Sequence, residues 1–148
     1  MHKVDIYPEQ SLVVALFSGP VTIEEIKQAN IETIKDSRFD KRFDGITDFR
    51  FAEASFTDHD LLQFRASALK SDFTRGAWCI LASRPLETAM SMIFANKAQK
   101  TPIKVFSTVD AASAYLNRDL QQLLTQSPST TRSALNSRIW RSTLSGIW

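Results

Sequence analysis

The chain has 148 residues, a length that fits one domain and leaves little room for two. Its 43% hydrophobic and 23% charged residues match a globular protein and exclude a disordered one. No apolar run approaches the roughly 20 residues of a membrane-spanning helix. The net charge of +2 is uneven: residues 125–148 hold Arg132, Arg138 and Arg141 and no acid, leaving the rest slightly acidic.

Val4 and Ile6 alternate with Lys3, Asp5 and Tyr7, the period-2 pattern of a half-buried strand. Pro8 to Ser11 forms a turn, and Leu12 to Phe17 is a second strand. So short a connection requires antiparallel pairing. Gly19-Pro20 is expected to stop this strand. Thr22 with Glu25 three residues on reads as a capping box, and Ile23, Ile26, Asn30, Ile31 and Ile34 follow helical spacing. Asp44 to Phe49 is a short third strand.

Thr57 or Asp58 caps the next helix, with Leu61, Leu62, Phe64, Ala68 and Leu69 on one face. Gly76 to Ala82 is apolar throughout, as a central strand buried on both sides would be. Pro85 opens a third helix, in which Leu86, Ala89, Met90, Ile93 and Phe94 give the clearest amphipathic stripe of the chain. That stripe is expected to be buried. Pro102 to Phe106 is the last strand, and Ser107 or Thr108 caps one final helix carrying Val109, Ala112, Leu116, Leu120 and Leu123.

The order β-β-α-β-α-β-α-β-α predicts an α/β fold with a mixed, mainly parallel sheet and an N-terminal antiparallel hairpin. The domain is expected to span residues 1–124. Residues 125–148 follow as a Ser/Thr-rich basic tail. Trp140, Leu144, Ile147 and Trp148 share one helical face there, so Arg138, Trp140, Arg141, Leu144 and Trp148 are candidate anchors. The tail could dock on a partner or second subunit, touch a membrane surface, or fold back on its own domain.

The strand-turn-strand start, SGPVTIEE, the strand ending in TDFR, AWCILASRP and the late PIKVFSTVDAASAYL resemble the SpoIIAA-like, or STAS-like, small proteins of bacteria. The likeness runs from about residue 3 to residue 124. It implies parallel strands in sequence order, relatives that are often homodimers, and a fold shared with SEC14-type lipid-binding domains. Anti-sigma-factor antagonists of this fold carry an Asp-Ser-Ser-Gly motif whose serine is phosphorylated. Here Asp58 can match its aspartate, but His59 and Asp60 fill the serine positions and the glycine is absent. The phospho-switch is not carried over.

Ser55, Thr57, Asp58 and His59 form the candidate interaction loop. His59 between Asp58 and Asp60 could act as a base or bind a metal, but too few ligands surround it, and acids at a helix start favour the positive end of the helix dipole. Ser55 and Thr57 could meet an anion, which Asp58 and Asp60 would repel, so a simple cap is preferred. Asp48, Arg50 and Glu53 stand where open α/β sheets bind ligands, with an ion pair on a turn the preferred reading. In DSRFDKRFD equal acids cancel the basic field, so packed phenylalanines with solvated charges are expected, and no nucleic acid. Met90 is read as core.

The four glycines are scattered and form no phosphate-binding loop. Cys79, the single cysteine, lies inside an apolar run and cannot form an intrachain disulfide. The start MHKVDIYPEQ has no apolar signal core. A cytoplasmic, non-catalytic regulatory or protein-interaction module is expected, a homodimer with no cofactor and no metal. The alternative is a small carrier of an apolar, lipid-like ligand.

Overall fold

The computed structural model describes residues 1–70, 75–97 and 103–125. The chain divides into two compact units, Met1–Thr108 and a second beginning at Val109. The first unit holds a five-stranded sheet: β1 (His2–Tyr7), β2 (Leu12–Val21), β3 (Asp44–Ala54), β4 (Trp78–Leu81) and β5 (Ile103–Phe106), side by side in that order. β1 and β2 are antiparallel and every other neighbouring pair is parallel. Three helices connect the parallel strands: α1 (Ile23–Lys35), α2 (Asp58–Lys70) and α3 (Pro85–Lys97). α2 touches both α1 and α3, which makes them one layer, as successive right-handed crossovers between adjacent strands require.

A single 3-10 turn, Pro8–Gln10, joins β1 to β2 and closes at Ser11, which has φ 53° and donates its N–H to the Pro8 carbonyl at 3.1 Å. β2 does not stop at Gly19-Pro20 as the sequence predicts. It continues to Val21, pairing Gly19 with Ala52 and Pro20 with Glu53 of β3. β1 pairs no further along β2 than Phe17, so Pro20 sits where one edge of the strand is unpaired and its missing N–H costs no ladder bond. Gly19 supplies the positive φ of 68° that the strand needs there.

β3 is likewise longer than expected, because it follows β2 past a bulge. Between the pairs Leu16–Asp48 and Ser18–Phe51, β3 spends three residues against two. The Asp48 carboxylate fills the irregularity, accepting the Arg50 N–H at 3.0 Å and pairing bidentately with the Arg50 guanidinium at 3.0 and 2.8 Å. That ion pair is buried at Asp48, and Arg50 also lies over the Phe51 ring at 5.2 Å.

One face of the sheet packs Ala15, Phe17 and Ala52 against Ala29 of α1, with Ile26 and Phe49 at the margin. On the same face Val13, Ile6 and Trp78 pack with Phe39 and Phe43. The phenylalanines of DSRFDKRFD therefore belong to the core. Two of its acids pair locally, Asp36 with Arg38 and Asp40 with Arg42, each closest at 2.7 Å, and the third, Asp44, accepts the Ala77 N–H at 2.8 Å. Leu12, Val14, Ile46, Cys79 and Leu81 alternate onto the other face and are fully buried. Trp78 lies against Gly45, where a Cβ would enter the indole, and its Nε1–H donates to Thr47 Oγ1 at 2.8 Å.

The inward faces of two helices differ from the expected ones. In α1 the buried residues are Ala29 and Thr33, while Ile31 and Ile34 are exposed. In α3 Leu86 is 52% and Ile93 37% exposed, whereas Glu87 is 6% and Ser91 5% exposed. Leu86, Ala89 and Ile93 of the stripe expected to be core thus point outward, while its Met90 and Phe94 are half-buried. Small or hydrogen-bonded side chains let a helix sit close to a sheet: the Thr33 hydroxyl donates to the Ala29 carbonyl, the Ser91 hydroxyl to the Glu87 carbonyl, and the Glu87 carboxylate takes the Ala54 N–H. On α2, Leu61 and Phe64 are buried and Leu62 is exposed. Phe64 stacks on Phe94 of α3 at 6.0 Å.

In the second unit the single helix expected after residue 108 is two: α4 (Val109–Leu116) and α5 (Leu120–Thr125). Asn117 adopts a left-handed conformation, φ 56°, and the Arg118 N–H reaches back to the Ser113 carbonyl at 3.1 Å. This is the Schellman arrangement that ends a helix, and asparagine tolerates its geometry. Val109, Ala112, Leu116, Leu120 and Leu123 are all buried.

Candidate functional site

Parallel strands in sequence order place successive helix starts side by side at the carboxyl edge of the sheet. α1 begins there after β2, and α2 begins there after β3. Thr22 caps α1, its Oγ1 accepting the Glu25 N–H at 3.2 Å. Thr57 caps α2 in a reciprocal box: its Oγ1 accepts the Asp60 N–H at 3.1 Å, and Asp60 Oδ2 accepts the Thr57 N–H at 3.0 Å. These bonds from Thr57 hold the Asp60 carboxyl below its usual range.

Between the two capped helix starts lies a half-open groove of about 340 Å3. Ile23, Phe56 and Phe64 supply its apolar surface, and Thr22, Ser55, Gln63 and Ser67 its neutral polar groups. Glu24, Lys27 and Asp60 are its charges, with Lys27 Nζ 3.4 Å from Glu24 Oε2. The groove contains no assembled nucleophile and base.

Of the candidate loop, Ser55 lines the groove, and its N–H bonds the Val21 carbonyl at 2.8 Å. Thr57 is the α2 cap at its margin. Asp58 and His59 are exposed in the first turn of α2, where Asp58 Oδ1 accepts the His59 N–H at 3.0 Å. The tail anchors Arg138, Trp140, Arg141, Leu144 and Trp148 lie outside the described residues. Among the described residues no group of three His, Cys, Asp or Glu side chains is placed to hold a metal ion, and no helix is long and apolar enough to cross a membrane.

Sequence reasoning missed the contribution of α1 to this site: Thr22, Lys27 and Ile23. Two capping boxes, each directly after one of two neighbouring parallel strands, were the available signal. It also missed where a histidine meets two carboxylates. That residue is His2, on edge strand β1, with Nδ1 3.1 Å from Glu25 Oε2 and Nε2 3.0 Å from Glu32 Oε2. The two ring nitrogens face opposite ways, so the arrangement clasps α1 to β1 and offers no shared metal position.

The architecture is a SpoIIAA-like α/β fold. A similar solved structure is an uncharacterised protein of the DUF3478 family with a SpoIIAA-like fold from Shewanella loihica PV-4. It matches at TM-score 0.54 and 16% identity, covering 78% of this chain and 93% of that one. No family model matches the chain, and no curated protein does.

Proposed function

We propose that this chain is a non-catalytic regulatory or protein-interaction module of the STAS-like type, working as a homodimer that receives a protein partner at the α1–α2 groove. The groove itself carries this reading. It is open rather than enclosed, it mixes three apolar side chains with neutral polar and charged ones, and it lies beyond the carboxyl ends of parallel strands. A carrier of a lipid-like molecule needs an enclosed apolar cavity, which this groove is not.

A photo-crosslinking residue placed at Phe56 or Gln63 of the full chain, expressed in its source cells, tests this. Adducts of one discrete protein mass are expected, and they should be absent when the same residue replaces Ile31 on α1. A small apolar molecule captured at those positions, or adduct formation no different from the Ile31 control, would overturn the reading.

A further inference from the structure

We infer that the groove between α1 and α2 takes the basic end of this same chain, residues 138–148, as an occupant that a protein partner must displace. This rests on the functional reading of the groove and adds the control of access to it. Ile23 and Phe56, both half-buried, and Phe64 give the groove an apolar floor. Its volume of about 340 Å3 stands at the lower end for a binding site and suits one or two side chains. Its charges are Glu24, Asp60 and Lys27, and Lys27 Nζ already stands 3.4 Å from Glu24 Oε2. Asp60, held below its usual range by Thr57, stays ionised, and exposed Asp58 adds a further negative charge beside it. The groove therefore fits a large apolar side chain with cations next to it.

The chain carries that chemistry itself, outside the described residues. Residues 138–148 read RIWRSTLSGIW, with Trp140 between Arg138 and Arg141, and residues 125–148 hold no acid. Tryptophan and arginine are the residue types that dominate interface energies. Length brings the segment within reach. Residues 126–139 separate Trp140 from the end of α5, and at roughly 3.3 Å each they span up to roughly 45 Å. That exceeds the width of a unit the size of Met1–Thr108, whose radius of gyration is roughly 13 Å. A tether of this length sets an effective concentration on the order of 1 mM, so even a millimolar contact would be half occupied. The outer face of α3, also apolar and exposed, is the poorer match. Arg84 and Lys97 stand at its two ends, where they would repel the arginines of the segment.

The test uses the purified full chain with a photo-crosslinking residue at Gln63, its adducts mapped by digestion and mass spectrometry. Adducts within one chain, joining position 63 to residues 139–148, are expected, and the same residue at Ile31 should give few. Trp140→Ala, and separately Arg138→Glu with Arg141→Glu, should each cut their yield about fivefold or more. In source cells the same variants should raise capture of an outside protein at Gln63. Adducts with residues 139–148 that are no more frequent than from Ile31, that join two chains, or that persist unchanged in both variants would overturn the inference and leave the groove free for an outside partner. Adducts within one chain, with no outside protein captured even in Trp140→Ala, would overturn the partner reading and leave the docked segment standing.

Discussion

Glu87 at the start of α3 accepts the backbone N–H of Ala54, the last residue of β3, at 2.8 Å. Two elements separated by 33 positions are thereby pinned through one buried carboxylate. Its second oxygen, Oε1, stands 3.6 Å from Arg84 Nε, and Arg84 also reaches Glu53 Oε2 at 3.4 Å. Replacing Glu87 by alanine leaves the Ala54 donor without its acceptor. Chemical denaturation should show a loss of about 1–3 kcal/mol for Glu87→Ala and a smaller loss for Glu87→Gln, whose amide oxygen can still accept. Equal stability of Glu87→Ala and the parent would mean that the contact does not hold α3 in place.

The outward face of α3 gives the opposite expectation for its apolar residues. A buried aspartate at Leu86 would be severely destabilising, but an exposed one should shift stability by only about 0.5 kcal/mol. Leu86→Asp and Ile93→Asp, measured at concentrations low enough for monomers, should therefore unfold close to the parent. Losses of several kcal/mol would show that these side chains are core after all.

Gly45 has no room for a side chain because the Trp78 indole covers it. Gly45→Ala must push the indole aside and disturb its bond to Thr47. Overpacking of this kind costs about 1–3 kcal/mol. The same variant should shift Trp78 fluorescence, with the two tail tryptophans replaced by phenylalanine to isolate its signal. An unchanged spectrum and midpoint would contradict the close approach.

Acid titration should separate two kinds of aspartate. Hydrogen bonds from the Arg38 and Arg42 side chains, then from their backbone N–H groups, lower Asp36 and Asp40 to about 2, and Thr57 lowers Asp60. Their folded values lie below the unfolded ones. The stability they lend is present above the unfolded value near 4 and is lost as pH falls through the folded value. Asp5 behaves oppositely: burial raises its pKa, opposed by Lys3 and Arg38, and its Oδ2 is buried with no hydrogen-bond partner. Its contribution is present below the unfolded value and lost as pH rises through the folded one. Carboxyl-carbon NMR should find Asp36 and Asp40 titrating last and Asp5 first among these aspartates, and Asp5→Asn should not destabilise the protein at pH 7. A reversed order would refute the assignment.

Cys79 is fully buried in β4, and its thiol is pushed up to about 12 by burial and by the charges of Asp44 and Asp48. Thiolate is the reactive form. At pH 8 an alkylating reagent should modify Cys79 at the rate of unfolding, and added denaturant should accelerate the reaction steeply. Rapid modification of the native protein would show an accessible thiol.

The strands and helix starts were legible in the sequence because they depend on local rules. Alternation marked β1, the continuous apolar run marked β4, and the Thr22–Glu25 spacing marked the start of α1. The candidate loop was legible for the same reason, since Ser55 and Thr57 precede an obvious helix. The pairing of two such starts into one groove was not, because α1 and α2 meet only once the parallel strands lie side by side. β2 and β3 also outran their local signals. Pro20 is a poor strand residue by propensity, and only an absent neighbour on one edge makes it acceptable, while the Asp48 bond at the bulge carries β3 past Arg50. The inward faces of α1 and α3 were decided wholly by tertiary structure. A period of 3.6 locates an apolar stripe, but it does not say which side of the helix the sheet will occupy. Close approach to the sheet favoured Ala29 and Thr33 over Ile31 and Ile34, and the Ala54 N–H gave Glu87 a partner inside. Leu86 and Ile93 were left facing outward.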